Sequence, residues 1–407
     1  MPVGQLPITE VLHRILDVIE PVQEAESLPL PAALGRILAS DLVSPIDVPP
    51  CDNSAMDGYA MRFADLQATR STELALAGAA FAGRPYAGSC PPGAAVRIMT
   101  GAAIPAGLDT VVPQESVQAG NERIQVPPGQ QAGQHRRRAG EDLTAGSRAL
   151  AAGRRLTAAD IGLVASLGIG ELDVRRRVRI AFFSTGDELQ SIGKPLGVGC
   201  IYDSNRYVLH AMLNRPEFEA IDLGVVPDRP DALEARMREA SDRADAIIST
   251  GGVSVGDADY TRTVMARLGQ VEFWSVAMRP GRPMAFGRTG KAWYFGLPGN
   301  PVAVIAAFCF LARPALLALG GATPVAPVYA RARAPRPIDK RVGRSEYQRG
   351  RVEAGEDGAM QVELTGSQGS GLLSSMSQAN CIVVLHHDQG PVAAGEWVDC
   401  LPFEGLL

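Results

Sequence analysis

The chain contains 407 residues, enough for two to four domains, because a single core rarely serves more than about 250 residues. Its 46% apolar and 20% charged residues are typical of a soluble globular protein, and its net charge of −5 argues against a nucleic-acid partner. The six cysteines form no C-x-x-C pair and the five histidines lack zinc-site spacing. We therefore expect no disulfide framework and a reducing, cytoplasmic environment.

The N-terminal part changes from helical to β-rich patterning. Apolar residues at helical spacing predict a helix over 8–20, with Thr9 as a candidate cap, and a second short helix over 31–40. From about 45 to 140, short apolar pieces alternate with Gly and Pro, which indicates a small β-rich module. Helical patterning returns over 157–170. The first residues carry no apolar signal core.

From about residue 178, apolar runs that end in Gly turns alternate with helical segments. This order favours a parallel sheet covered by helices on both faces. The most apolar run, 302–312, is too short to span a bilayer and predicts a buried helix within 301–319, so we expect no membrane. Short β pieces over 327–407 indicate a closing barrel or sandwich. We predict strands within 178–189, 219–228, 245–257 and 291–301, and helices within 205–216, 229–244, 260–269 and 301–319.

Two of the predicted strands end alike, in "FFSTG" and "IISTG". Ligands of open parallel sheets bind outside the carboxyl ends of the strands, so we expect a site there. Glycines let a backbone approach a ligand, and carboxylates with substrate phosphate oxygens suit Mg²⁺. The alternative is an ordinary strand-to-helix turn capped by Asp. The candidates are Ser184, Thr185, Gly186, Gly251, Gly252, Ser254, Gly256, Asp257 and Asp259.

Three polar stretches outside these strands also attract attention. Arg279 and Arg282 flank a Pro-Gly turn and could grip an oxyanion, although a solvated turn has the same pattern. The stretch "CDNSAMDGYAMR" (51–62) could present a carboxylate to a metal or polar ligand, or form a self-satisfied turn. We interpret the arginines of 136–138 and the pair His386-His387 as surface residues.

Eight motifs together resemble the molybdopterin molybdenumtransferases, the family of bacterial MoeA and the gephyrin E domain. They occur in the family's order, from about residue 8 to the C-terminus, which makes the resemblance specific. The "STGG…GD" block alone would not make the resemblance specific, because smaller pterin-adenylylating proteins share it. The motifs are "DNSAMDGYAMR", "RIMTGAAIP", "RRRAGEDL", "FSTGDEL", "IYDSNRYVL", "STGGVSVGDADYT", "RPGRPMAFG" and "GLPGNPVAV".

The resemblance implies an α/β plus β multidomain fold: a helical domain (1–50 and 140–177), a β-rich domain (51–139), a parallel-sheet α/β molybdopterin-binding domain (178–326) and a small C-terminal β-barrel (327–407). It also implies a homodimer. Such transferases insert molybdenum from molybdate into adenylylated molybdopterin, with Mg²⁺-dependent release of AMP. The molybdopterin adenylyltransferase and molybdoenzyme chaperones are implied partners.

The resemblance also carries site residues over to this chain. It gives catalytic roles to Asp57, Asp142, Glu188, Asp228 and Asp259. Among these, Glu188, Asp228 and Asp259 would hold metal together with Asp257. Family members often have Lys where this chain has Arg279 and Arg282, which changes the donor geometry. Further substrate-binding positions are Thr100, Pro298, Gly299, Asn300, Pro301, Arg349 and Ser370.

Two other functions use the same fold. Adenylyl transfer to molybdopterin normally needs only the α/β domain, so the "DNSAMDGYA" half argues against it. A non-catalytic scaffold would not need Asp57, Glu188, Asp228 and Asp259, all of which are present.

Overall fold

A computed structural model describes residues 5–253, 258–404 and 406. Backbone contacts divide the chain into two compact units. The larger unit consists of Met1–Ala39, Gly153–Thr157 and Leu172–Leu407, and the smaller unit consists of Ser40–Ala152 and Ala158–Glu171. This division is coarser than the four domains expected from the sequence, whose boundaries stay a prediction.

A six-stranded sheet forms the centre of the larger unit. Its spatial order is Phe218–Val226, Val178–Thr185, Ala246–Thr250, Ala292–Leu297, Pro283–Thr289 and Gly269–Ser275. The first four strands are parallel, as predicted. The last two are antiparallel and were not predicted, because the Pro and Arg residues of 277–287 suggested only a turn.

Helices cover both faces of this sheet, which confirms the predicted layering. Phe182 and Phe295 point into one core together with the helix that begins at Pro301. Their sequence neighbours Phe183 and Tyr294 point into the opposite core. This alternation follows from the two-residue period of a strand. The flanking helices are Ile8–Leu16, Asn205–Leu213, Pro230–Arg243 and Ala258–Leu268.

The long apolar helix runs over Pro301–Leu319, with a π-helical turn at Phe308–Ala312 between the α-helical parts Pro301–Ala307 and Arg313–Leu319. Its 19 residues are enough to cross a membrane by length and composition. Most of its apolar surface is nevertheless buried against the sheet and its neighbours. The predicted buried helix within 301–319 is confirmed.

A closed five-stranded barrel ends the chain, as predicted. It closes because Ser345–Ala354 pairs with both Met360–Leu364 and Cys381–Leu385. The short strand Met278–Arg279 adds to it in parallel with Ser345 and Glu346. A helix at Leu373–Gln378 was not predicted. The remaining barrel strands are Ala330–Arg333 and Trp397–Pro402.

The smaller unit is β-rich, as predicted, and contains a curled six-stranded sheet. Its order is Thr110–Pro113, Gly58–Met61, Ala94–Ile98, Thr72–Ala80, Arg123–Val126 and Gln118–Ala119. The predicted helix near 157–170 is present as Ala158–Ser166. Short strand pairs join Asn53–Ser54 to Arg136–Arg137 and Leu42–Val43 to Arg148–Leu150.

Two predictions near the N-terminus of the chain are wrong. Thr9 lies inside the helix Ile8–Leu16, which follows Pro7 and has no side-chain cap. The predicted helix over 31–40 is only a 3-10 turn, Leu30–Ala33. Gly35 has a φ of +75°, which lies outside the helical region and prevents further helix. The strand Ala25–Pro29 pairs with the strand Glu171–Arg175. The remaining short elements are the 3-10 turns Phe63–Asp65 and Gln114–Ser116 and the paired strands Leu189–Gln190 and Ile201–Tyr202.

Candidate functional site

Three parallel strands of the larger unit end side by side, and the loops that follow them lie in contact. The Gly251 N–H donates to the Leu297 carbonyl at 3.3 Å, which joins the loop after Ala246–Thr250 to the end of Ala292–Leu297. The Gly186 N–H donates to the Val226 carbonyl at 3.4 Å, which joins the loop after Val178–Thr185 to the end of a fourth strand, Phe218–Val226. A Cβ at Gly299 would lie 3.8 Å from the Gly251 Cα. The described candidates Ser184, Thr185, Gly186, Gly251 and Gly252 are therefore brought together.

Two of these glycines occupy positions that no side chain could share. Gly251 has a φ of +87°, and a Cβ there would lie 2.5 Å from the Thr185 carbonyl oxygen. Gly252 has a φ of +65°, and its Cβ would lie 2.8 Å from Thr261 Oγ1. Both positions combine a left-handed backbone with a close approach, which only Gly tolerates. The loop that contains Gly251 and Gly252 therefore lies in direct contact with Thr185.

The hydroxyl groups of the strand ends are largely committed to the protein. Ser184 is fully buried and its Oγ donates to Asp203 Oδ1 at 2.9 Å, while Thr250 Oγ1 donates to Ser184 Oγ at 3.0 Å. Thr185 Oγ1 donates to the Thr250 carbonyl at 3.3 Å. Asp203 was not among the predicted site residues, although it belongs to the motif "IYDSN".

The predicted carboxylates Glu188 and Asp228 follow two neighbouring strands and are both exposed. The Glu188 carboxylate lies over Gly186, where an added Cβ would be 2.6 Å from Glu188 Oε2. The Asp228 N–H donates to Asp187 Oδ1 at 3.1 Å. Acidic side chains therefore line the edge of the sheet beside the glycine loops.

This acidic edge fits Mg²⁺ in the chemistry of its donors, because that ion prefers one or two carboxylates with water and substrate oxygens. No three His, Cys, Asp or Glu side chains cluster as a complete metal cage within 5–253, 258–404 and 406. Ser254, Gly256 and Asp257 lie outside the described residues. Asp259 lies in the helix Ala258–Leu268, and its side chain is not among those described.

The turn Pro298–Pro301 connects the strand Ala292–Leu297 to the long apolar helix. The Gly299 carbonyl accepts a hydrogen bond from Asn205 Nδ2 at 2.7 Å. The first-turn amide of Val302 donates to the Ser370 carbonyl at 3.0 Å. Ser370 thus lies beside the start of the helix, together with Asn300 and Pro301, whereas the Val302 amide is not available to an anion.

Arg279 and Arg282 are exposed on a turn next to the same helix. A Cβ at Gly281, between them, would lie 3.5 Å from the Ala303 carbonyl oxygen. Arg279 Nη1 lies 3.7 Å from the buried Glu346 carboxylate. Both arginine side chains are therefore exposed to solvent, and that of Arg279 is also paired with Glu346.

Arg349 behaves differently from these two arginines, because its side chain is fully buried. Its Nε and Nη2 donate to Ser375 Oγ at 3.1 and 2.9 Å, and Nη2 also donates to the carbonyls of Ser367 and Gly369 at 3.0 Å. Burial lowers the pKa of Arg349, and the charge of Arg279 adds to this effect. Arg349 therefore shapes the loop that contains Ser370.

The smaller unit holds the other predicted residues, Asp57, Thr100 and Asp142. Asp57 Oδ1 accepts hydrogen bonds from the Thr100 N–H and from Thr100 Oγ1, both at 2.7 Å. These two bonds hold the pKa of Asp57 below its usual range. Asp142 is exposed, and its N–H donates to the Val48 carbonyl at 3.0 Å.

The stretch 51–62 is bonded to the arginine-containing segment 136–138. Asp52 is ion-paired with Arg136, and its Oδ1 accepts the Ala139 N–H at 2.8 Å. The interpretation of 136–138 as solvated surface is therefore wrong for Arg136, while Arg137 and Arg138 are exposed. His386 is exposed as expected, and its Nε2 contacts Asp399 at 2.7 Å.

Comparison with known proteins assigns the chain to a family along its whole length. The family models that match are the MoeA N-terminal region (domain I and II) over 6–168, the probable molybdopterin binding domain over 181–318 and the MoeA C-terminal region (domain IV) over 331–403.

Individual relatives agree with this assignment. A molybdopterin molybdenumtransferase of Haemophilus influenzae is 42% identical over 404 residues, which cover 99% of this chain and 100% of the relative. One from Nostoc is 37% identical, covering 95% and 90%. The crystal structure of a molybdopterin biosynthesis moeA protein from Pyrococcus horikoshii gives a TM-score of 0.84 at 29% identity, covering 98% and 100%. The chain therefore belongs to the molybdopterin molybdenumtransferases, which are transferases of molybdenum cofactor biosynthesis.

Proposed function

We propose that this protein inserts molybdenum from molybdate into adenylylated molybdopterin, with Mg²⁺-dependent release of AMP. The observation that carries the proposal is the match to all three family regions, because adenylyl transfer normally needs only the α/β domain. The convergence of three strand ends with glycine loops supports it, since such loops suit the phosphates of a nucleotide-linked pterin.

The proposed reaction combines a ligand exchange with a hydrolysis. The two thiols of the dithiolene replace one molybdate oxygen, which leaves with both thiol protons as water, and molybdenum stays in the same oxidation state. Cleavage of the P–O–P link consumes one water and gives AMP and a phosphate monoester on the pterin. When bound, Mg²⁺ would neutralise negative charge on the phosphate oxygens.

Residues of this chain divide these tasks by their chemistry. The glycine loops at Gly186, Gly251 and Gly252 would let the phosphates approach the backbone closely, while the N–H groups of Gly186 and Gly251 themselves donate to the Val226 and Leu297 carbonyls. The carboxylates of Glu188 and Asp228, together with Asp257 and Asp259, would hold the divalent ion. Molybdate is a tetrahedral dianion, which suits the exposed guanidinium groups of Arg279 and Arg282 and the loop of Ser370.

Asp57 carries a negative charge and would repel molybdate, so a metal-holding or pterin-binding role fits it better. We propose that the Asp57–Thr100 pair and Asp142 complete the pocket from the second subunit of a homodimer. The protein would act in the cytoplasm, where it would receive its substrate from the molybdopterin adenylyltransferase and deliver its product to molybdoenzymes or their chaperones.

The test is an assay of purified protein with adenylylated molybdopterin, molybdate and Mg²⁺. AMP is quantified by chromatography, and molybdenum in the pterin fraction is measured by mass spectrometry. We expect AMP and pterin-bound molybdenum in equal amounts, and neither product without molybdate or in the presence of EDTA. Absence of both products would contradict the proposal.

The same assay separates the two alternative functions. If the protein adenylylates molybdopterin, ATP and molybdopterin without molybdate will yield the adenylylated pterin. If it is a scaffold, it will bind adenylylated molybdopterin without releasing AMP. The residues Glu188 and Asp228 at the acidic edge favour an enzyme over a scaffold, because a scaffold would not require them.

A further inference from the structure

The segment Asp203–Asn205 contacts the ends of all three strands that converge at the site. Its first residue, Asp203, is almost fully buried and accepts a hydrogen bond from Ser184 Oγ at 2.9 Å. Ser184 in turn accepts one from Thr250 Oγ1 at 3.0 Å. One carboxylate therefore joins the ends of Val178–Thr185 and Ala246–Thr250.

Asn205, at the other end of this segment, reaches the third strand end. Its Nδ2 donates to the Gly299 carbonyl at 2.7 Å, in the turn that follows Ala292–Leu297. Its Oδ1 is buried and has no hydrogen-bond partner among the described residues. A buried amide with one unused acceptor is not explained by stability alone, so the contact that Asn205 makes with Gly299 is the feature from which its role is argued.

The charge of the segment is balanced by the protein itself. Arg206 donates to Asp203 Oδ1 through its N–H at 3.2 Å and to Oδ2 through Nε at 3.3 Å. Its Nη1 donates to Asp222 at 2.8 Å. Since Asp203 already has a counterion and three donors, its carboxylate has no need of a metal or a substrate group.

We propose that Asp203 and Asn205 are positioning residues, which set the separation of the three strand ends and of the anion-binding loops between them. This inference rests on the proposed function, because the loops are those assigned to the phosphates. The consequence of losing the Asn205 contact is specific: the Gly299 carbonyl is released, and the turn Pro298–Pro301 can move away from Gly251.

The test compares Asn205→Ala with Asn380→Ala. Asn380 makes the same kind of contact in the barrel, where its Nδ2 donates to the Val352 carbonyl at 2.9 Å. For Asn205→Ala we expect the Kd for AMP and the KM for adenylylated molybdopterin to rise about tenfold or more, because small misplacements of binding groups are costly. Asn380→Ala should leave both values unchanged. Asp203→Asn keeps an oxygen for Ser184 and should show a smaller increase than Asn205→Ala.

Amide hydrogen exchange gives a readout that does not depend on turnover. We expect Asn205→Ala to speed exchange in the peptide covering 297–304 and to leave the barrel peptides unchanged. Unchanged exchange there, with wild-type affinity for AMP, would overturn the proposal, as would a fall in melting temperature without a change in affinity. If the wild-type protein releases no AMP, the proposed function fails, while the exchange measurement still decides whether Asn205 positions the turn.

Discussion

Asp57 Oδ1 receives two hydrogen bonds from a single residue, Thr100, one from its backbone N–H and one from its hydroxyl, both at 2.7 Å. The two residues are 43 positions apart in the chain and belong to two of the family motifs, "DNSAMDGYAMR" and "RIMTG". The pairing fixes one carboxylate oxygen and keeps the group ionised. A negative charge is thereby held at a defined place on the smaller unit.

Thr100→Val removes the hydroxyl donor and keeps the backbone donor, so we expect the pKa of Asp57 to rise part of the way toward its usual value. A lowered pKa contributes stability above the unfolded value of about 3.9, and this contribution is lost as the pH falls through the folded value. The melting-temperature difference between wild type and Thr100→Val should therefore be present at pH 6 and shrink as the pH falls below the unfolded value of about 3.9.

Carbon-13 NMR titration, with Asp57→Asn to assign the signal, measures the pKa directly. We also expect Asp57→Asn to reduce AMP release. Asp41→Asn is the matched control, because Asp41 is another aspartate of the smaller unit that accepts a backbone N–H, from Ala152, at 2.7 Å. Equal activity losses in the two variants would argue against a specific role for Asp57.

Gly58 follows Asp57 directly, and its lack of a side chain is a structural requirement. A Cβ at this position would lie 2.1 Å from the Val112 carbonyl oxygen, which belongs to the neighbouring strand. We expect Gly58→Ala to lower the free energy of unfolding by about 1–3 kcal/mol, because backbone must shift. Gly162→Ala, in the helix Ala158–Ser166 with open space around it, should be neutral or stabilising. Chemical denaturation of both variants tests this contrast.

The family resemblance assigned Arg349 to the substrate, but its contacts indicate a structural role. Substitution of Arg349 distinguishes the two roles. Arg349→Lys cannot reach Ser375, Ser367 and Gly369 together, so we expect a loss of roughly 2–4 kcal/mol in the free energy of unfolding. Arg351→Lys, on the same strand but exposed, should cost less than about 0.5 kcal/mol. A stable Arg349→Lys protein that binds molybdate poorly would instead indicate direct contact.

Much of the α/β domain was predictable because its strands and helices have clear periods. The run "VRIAFFST" reads as a buried strand, and the convergence of strand ends then follows from parallel pairing. The antiparallel pair Gly269–Ser275 and Pro283–Thr289 was missed because Pro and Gly near its start suggested only a turn. The local composition of these segments does not favour strands, but their pairing within the sheet stabilises them as strands.

The site was predictable in outline but not in its contacts. The glycines at 251 and 252 were expected to let the backbone approach a ligand closely, which stays a prediction, and the structure shows their close approach to Thr185 and Thr261. Neither the burial of Arg349 nor the reach of Asn205 to Gly299 follows from residue type, since both depend on distant segments meeting in space. The motif "IYDSN" was the one signal that could have directed attention to Asp203 and Asn205.

Arg279 tests whether this turn needs a guanidinium group or only a positive charge. Its side chain is about half exposed and near Glu346, so Arg279→Lys should keep the fold and the positive charge. We expect the KM for molybdate to rise a few-fold with little change in kcat, because Lys lacks the planar fork of donors. Arg331→Lys, an exposed barrel residue paired with Asp399, is the control. An unchanged KM for molybdate in Arg279→Lys would mean that charge alone suffices.

The last prediction concerns Asp259 as a ligand of the divalent ion. Asp259 lies in the helix Ala258–Leu268, and the family resemblance assigns its carboxylate to the metal. We expect Asp259→Asn to lower AMP release by at least about a hundredfold and to increase the Mg²⁺ concentration needed for half-maximal rate, because an amide is a weaker ligand for a hard cation. Asp231→Asn, at the equivalent position of the helix Pro230–Arg243, should change neither quantity. Circular dichroism and melting temperature establish that both variants are folded. Near-normal turnover in folded Asp259→Asn, at low and high Mg²⁺ alike, would remove this residue from the proposed metal site and leave Glu188 and Asp228 as the carboxylates to test next.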